Sequence, residues 1–156
     1  MIIELGHYAL VLAFVLSLTQ ALLPLWGIAR GDAALLAIAP STAVGQFVLV
    51  CVSYAALTWA YVTSDFSVAN VFENSHSAKP LIYKISGVWG NHEGSMLLWI
   101  LILVLFGALV AVFARRMPKD LLAAVLAVQA WVSSAFILFV LLTSNPFARL
   151  LQPPIE

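Results

Sequence analysis

Trp89, Asn91, His92 and Glu93 stand almost side by side in the stretch WGNHEGS, residues 89–95. An apolar run long enough to cross a bilayer follows directly. A neutral imidazole at a membrane boundary is a candidate axial ligand for haem iron. The rings of Trp89 and Trp99 suit the flat face of a porphyrin. The same residues also have a plain structural reading. Asn91 is a preferred helix N-cap, and a carboxylate at Glu93 would be stabilised by the helix macrodipole by about 0.3–1 kcal/mol. Trp89 and Trp99 would then be belt residues at the membrane surface, although Trp99 lies more than one turn into the run. His7 and His76 are weaker candidates, the first at the start of another apolar run and the second in a polar loop.

Other chemistry is hard to find. HEGSM at 92–96 is not a two-histidine zinc motif, because position 96 is Met. There is no phosphate-binding loop and no nucleophile elbow. Cys51 is the single cysteine, so neither a disulfide framework nor a CxxC redox centre is available; it reads as a small packing residue. The apolar runs hold no charged group near their middles, where proton and ion relays usually need one. Their polar residues are Thr19, Gln20, Gln46, Ser53, Thr58, Gln129, Ser133 and Ser134, suited to hydrogen bonds between helices. The formal net charge is zero, which leaves no electrostatic case for nucleic acid as a partner.

The elements that must position WGNHEGS follow from composition. Of 156 residues, 63% are hydrophobic and 9% charged, with a mean hydropathy of +1.06; a soluble domain carries about 25% charged residues. No Asp, Glu, Lys or Arg lies between Glu4 and Arg30, Asp32 and Asp65, Glu93 and Arg115, or Asp120 and Arg149. A hydrocarbon core of about 30 Å needs roughly 20 apolar residues, and backbone hydrogen bonding in lipid requires each such run to be a helix. The expected spans are about 5–29, 38–62, 95–114 and 121–143. The first is read as a span and not a signal peptide, since no basic residue precedes it. The fold class is all-α: an integral membrane helical bundle of about four transmembrane helices, with membrane lipid as its surround.

The connections are unequal. Gly31 helps a short turn at Arg30–Ala37, and Pro118 breaks the tight basic turn ARRMPKD at 114–120. Residues 63–94 are the one long loop, and Pro80 and Gly87 argue against a continuous helix across it. Arg115, Arg116 and Lys119 fall in the short turn, where basic residues set orientation most strongly. This places that turn in the cytoplasm and both termini, with the 63–94 loop, on the outer, periplasmic face.

Three separated stretches carry a family resemblance. KISGVWGNHEGSMLLW (84–99) resembles the start of the cytochrome c assembly domain in the large haem lyase subunit of bacterial cytochrome c maturation, the CcmF/NrfE family. NSHSAKPLIYK (74–84) and SNPFARLLQPPIE (144–156) resemble that family's flanking segments in the same order, and ELGHYAL (4–10) resembles its N-terminus. The resemblance covers the whole chain. It implies an N-terminal transmembrane pair with its periplasmic loop over 1–88, and the start of a cytochrome c assembly domain over 89–156. It implies a multi-pass protein of the bacterial inner membrane that holds haem b at the periplasmic face and helps attach it to the CxxCH cysteines of apocytochrome c. Haem, apocytochrome c, a haem chaperone and a thiol-reducing lyase partner are the implied partners. Trp89, Asn91, His92, Glu93 and Trp99 become the residues expected to line or support the haem site, with no metal ligand and no catalytic residue assigned among them. The departures matter too. Family members are several times longer, and their Trp-rich WWD loop and haem-ligating histidines have no counterpart here, where Trp26, Trp59, Trp89, Trp99 and Trp131 stand apart. The chain therefore resembles the N-terminal part of a haem lyase subunit and is expected to be inactive alone. A small four-helix transporter or channel subunit, or a structural membrane scaffold, remain the alternatives.

Overall fold

The computed structural model describes residues 1–114 and 116–151. Four long helices dominate it: α1 (Ile2–Arg30), α3 (Ile38–Val62), α6 (His92–Phe113) and α7 (Lys119–Thr143). Three short ones lie in the connections: α2 (Ala33–Leu36), α4 (Ala69–Asn74) and α5 (Leu81–Gly87). All four long helices have the length and hydropathy to cross a membrane. They match the expected spans to within about three residues at each end, because the charged residues that interrupt the runs also mark where the helices reach water. Among the described residues the only β-type pairing is an isolated bridge between Val68 and Arg149.

Helix ends follow local chemistry. Gly31 closes α1 at a positive φ of 66°; its amide returns to the Ile28 carbonyl and that of Asp32 to Gly27, a Schellman-type cap that glycine adopts without a Cβ penalty. Asp32 then caps α2 through Oδ1, which accepts from the amide of Ala34 at 2.8 Å. The short turn expected at Arg30–Ala37 thus contains one turn of helix. Pro80 opens α5, whose last residue is Gly87, the two positions that argued against a continuous helix.

The long helices form an up-down-up-down bundle in which α3 and α7 each touch all three other long helices. Small residues line the contacts. In α1 the buried positions include Gly6, Ala9, Ala13, Ser17, Ala21 and Gly27, and a Cβ on Gly6 would lie 2.6 Å from the Ala56 Cβ of α3. Such small-residue seams let backbones approach closely in lipid, where no hydrophobic drive separates helix from tail. Outward positions such as Leu12, Leu22, Phe106 and Leu142 are exposed and apolar, as a lipid-facing surface requires.

Polar groups in the spans sew the bundle together along α7. Gln20 Nε2 donates to the Leu126 carbonyl at 2.8 Å and to Gln129 Oε1 at 3.0 Å. Gln46 Nε2 donates to Ser133 Oγ at 2.8 Å, and Ser134 Oγ to Ser17 Oγ at 2.7 Å. Each such bond contributes about 0.6 kcal/mol on average in a bilayer, so they fix register more than they supply stability. Thr19 and Thr58 instead bond carbonyls of their own helices, and the buried Ser53 hydroxyl has no partner among the described residues.

One end of the bundle gathers the starts of α1 and α6, the ends of α3 and α7, the 63–91 connection and the segment after α7. That segment folds back: Ala69 N donates to the Ala148 carbonyl at 2.9 Å and Leu150 N to that of Ser67 at 3.0 Å. Phe147 is buried there, and Arg149 bonds Ser67 Oγ at 2.6 Å and pairs with Glu4. The opposite end holds α2 and the turn before α7.

Candidate functional site

Asn91 is the N-cap of α6, its Oδ1 accepting from the Gly94 amide at 2.8 Å. The capping reading of the sequence is therefore correct, but the cap is only one arm of a larger network. Asn91 Nδ2 donates to the Tyr61 hydroxyl at 2.8 Å, at the end of α3, and to the Gly87 carbonyl at 3.0 Å. The Tyr61 hydroxyl donates to Asn70 Oδ1 at 2.6 Å, on α4. Asn70 Nδ2 donates to Asn91 Oδ1 at 2.9 Å and to Glu93 Oε2 at 3.1 Å. The Asn70 carbonyl accepts from Asn74 Nδ2 at 2.9 Å. One hydroxyl hydrogen and four amide hydrogens are available from Tyr61, Asn70 and Asn91, and all five have an acceptor.

Burial makes the closure important. Tyr61 is 0% and Asn70 5% exposed, and a buried polar group left unsatisfied costs about 1–3 kcal/mol. The sheltered position follows from the packing: Val68, Val71, Val88 and Leu97 join Tyr61 in the main core cluster. Gly94 is the second constraint. A Cβ there would sit 1.6 Å from the Val88 carbonyl oxygen, so α6 starts directly against the 88–90 turn and only glycine fits.

The structure separates the predicted site residues into two groups. Asn91 and Glu93 face the network and are engaged in it. Trp89, His92 and Trp99 are exposed, Trp89 by 46% and Trp99 by 66%. The His92 carbonyl accepts from Ser95 Oγ, while its imidazole makes no hydrogen bond among the described residues. Seven residues separate His92 from Trp99, which puts them on one stripe of α6 roughly 10 Å apart along the axis. The arrangement presents the Trp89 indole and the His92 imidazole outward at the start of α6, with the Trp99 indole two turns further along the helix. Among the described residues no three His, Cys, Asp or Glu side chains gather as a metal site.

The other histidines go elsewhere. His76 is exposed, and its Nδ1 accepts from the Ala78 amide at 3.2 Å in a local turn. His7 packs edge-on to Phe147 with ring centroids 6.2 Å apart, and its Nδ1 is buried without a partner among the described residues. Sequence reasoning missed Tyr61, Asn70 and Gly94. The glycine three positions after a capping Asn was the one available signal; nothing in a Ser- and Asn-rich loop distinguishes Asn70.

The profile of the Cytochrome C assembly protein family matches residues 89–156. The cytochrome c-type biogenesis protein CycK of Rhizobium meliloti is 65% identical over 156 residues, which is 100% of this chain and 23% of that protein. The cytochrome c-type biogenesis protein CcmF of Pseudomonas aeruginosa is 51% identical over 100% of this chain and 24% of its own length, and that of Escherichia coli is 43% identical over 98% and 24%. A solved structure titled Cytochrome c Heme Lyase CcmF superposes with a TM-score of 0.89 at 28% identity, covering 94% of this chain and 25% of that one. The chain spans about a quarter of the length of these relatives. It belongs to the CcmF family of multi-pass membrane proteins of cytochrome c biogenesis.

Proposed function

We propose that this chain forms part of a membrane haem lyase subunit and that the 61–70–91–93 network is the platform for one edge of its haem-handling surface. The observation that carries the reading is the division of labour in WGNHEGS: Asn91 and Glu93 are spent on the network, while Trp89 and the unpartnered imidazole of His92 face outward from it. An exposed indole and a free imidazole fit one wall of a haem site. They do not make a whole one, so the axial ligands belong to the remaining three quarters of the relatives' length. Haem is the cargo; its vinyl groups are what the CxxCH thiols of apocytochrome c attack. This chain's residues hold and orient at the surface, and Asn91 and Glu93 fix Trp89 and His92 in place.

In this reading the network end faces the periplasm of the bacterial inner membrane, with both termini on that side. The cations at Arg115, Arg116 and Lys119 then lie in the cytoplasm, as the positive-inside rule requires. Residues 1–88 are the transmembrane pair with its periplasmic loop, and 89–156 begin the cytochrome c assembly domain. Apocytochrome c, a haem chaperone and a thiol-reducing partner would approach from the periplasm.

The test is a haem absorbance spectrum of the full-length protein, purified as wild type and as His92→Ala, His7→Ala and His76→Ala. The expected result is a haem band in the wild type that all three variants retain in position. A band displaced by His92→Ala alone would make His92 an axial ligand, and a full-length protein without haem would remove the reading.

A further inference from the structure

At the end of the bundle opposite the network, a cavity of about 350 Å³ opens between α2, α3, α6 and α7. Leu36, Ala37, Pro40, Ala111 and Leu122 give it apolar walls, and Lys119 stands on its lining. It adjoins the second core cluster, of which Leu36 is also a member. Its size is that of a small-molecule pocket, for which about 300 Å³ is the lower bound. We propose that it binds an anionic phospholipid, one acyl chain in the apolar groove and the phosphate against Lys119 at the membrane surface.

Charge and position choose this occupant. The cavity lies where the spans end, between helices whose outer faces meet lipid. The side chains of Lys119 and Arg116 make no hydrogen bond or ion pair among the described residues. α7 begins at Lys119 without a side-chain cap, and its first-turn amides carry the positive end of the helix dipole. Two carboxylates are nearby. Asp32 is committed to the amides of α2, and Asp120 is exposed in the first turn of α7, where solvent screens it. Basic pockets between transmembrane helices are a recurrent way of holding anionic headgroups. The proposal requires only membrane insertion and is independent of the haem reading.

The test is native mass spectrometry of the delipidated protein in detergent micelles, titrated with phosphatidylglycerol, phosphatidylcholine or inorganic phosphate. Phosphatidylglycerol should bind at one site at least tenfold more tightly than phosphatidylcholine, and phosphate should not compete at equal concentration. Lys119→Gln with Arg116→Gln should erase the preference. Ala37→Trp, at an exposed position on the cavity wall, should block phosphatidylglycerol while leaving both cations in place. Equal binding of the two lipids by the wild type would overturn the proposal without recourse to any variant. Phosphatidylglycerol binding that survives Ala37→Trp would also overturn it, by showing surface attraction without the cavity. Competition by free phosphate would show an anion site that is not a lipid site.

Discussion

Replacing Asn91 with Ala removes every hydrogen bond of its side chain at once, and the structure sets the size of the effect. The Gly94 amide loses its cap, worth about 1 kcal/mol. One hydrogen of Asn70 Nδ2, on a side chain only 5% exposed, loses its acceptor, and the Gly87 carbonyl loses its donor. Each orphaned group costs about 1–3 kcal/mol when buried, with the lower figure apt here because Gly87 and Glu93 are half exposed and water can enter. The sum is roughly 2–4 kcal/mol, or about 4–16 °C in melting temperature for a chain of this size. Asn91→Ser keeps a capping oxygen and loses the rest, so it should recover about 1 kcal/mol of the loss. Asn91→Asp keeps both acceptances, loses both donations and sets a second carboxylate beside Glu93. Thermal unfolding in detergent micelles measures the order, with hydrogen exchange at residues 87–95 to locate the change. An Asn91→Ala protein that melts with the parent, or exchange that rises far from 87–95 and not within it, would refute the network argument.

Two further predictions concern the close packing at the start of α6 and the orientation of the bundle. Gly94→Ala should lower the amount of folded protein in the membrane severely, since its Cβ would overlap the Val88 carbonyl at 1.6 Å, whereas Gly90→Ala, with no neighbour nearer than 3.5 Å, should not; comparable membrane levels for the two would contradict the close contact. Phosphatase or fluorescent-protein fusions after Glu73 and after Pro118 should report periplasm and cytoplasm respectively, and reversed activities would overturn the orientation proposed for the bundle.

The four spans were legible because lipid leaves the backbone no alternative to a helix, and charge-free intervals are visible by inspection. Pro80 and Gly87 likewise revealed the break-up of the 63–91 connection, since one cannot continue a preceding helix and the other terminates one easily. Asn91 was legible as a cap because it stands just before an apolar run. Tyr61 and Asn70 were not. A Tyr near a span end reads as an interfacial belt residue, and its role depends on a short helix folding back over it. The roles of Glu93 and His92 also needed coordinates, because a one-residue step around α6 turns one toward Asn70 and the other to the outside. Of the span polar groups, Gln20, Gln46, Gln129, Ser133 and Ser134 bond across helices as their composition suggested, and Ser17 joined them unannounced because a serine among alanines looks like packing.

The central claim is that the network holds Trp89 and His92 as a working surface, and the yield of cytochrome c per unit of this protein tests it most directly. Cells relying on the full-length protein, as wild type, Trp89→Ala or His92→Ala, would be compared by haem-stained gel and by immunoblot of the protein in the membrane. Both side chains are exposed and make no side-chain hydrogen bond within the described chain, so membrane levels should stay at the wild-type value while haem-stained cytochrome c falls several-fold. Cytochrome c at wild-type yield in both variants, or a fall matched by equal loss of the protein itself, would contradict the account.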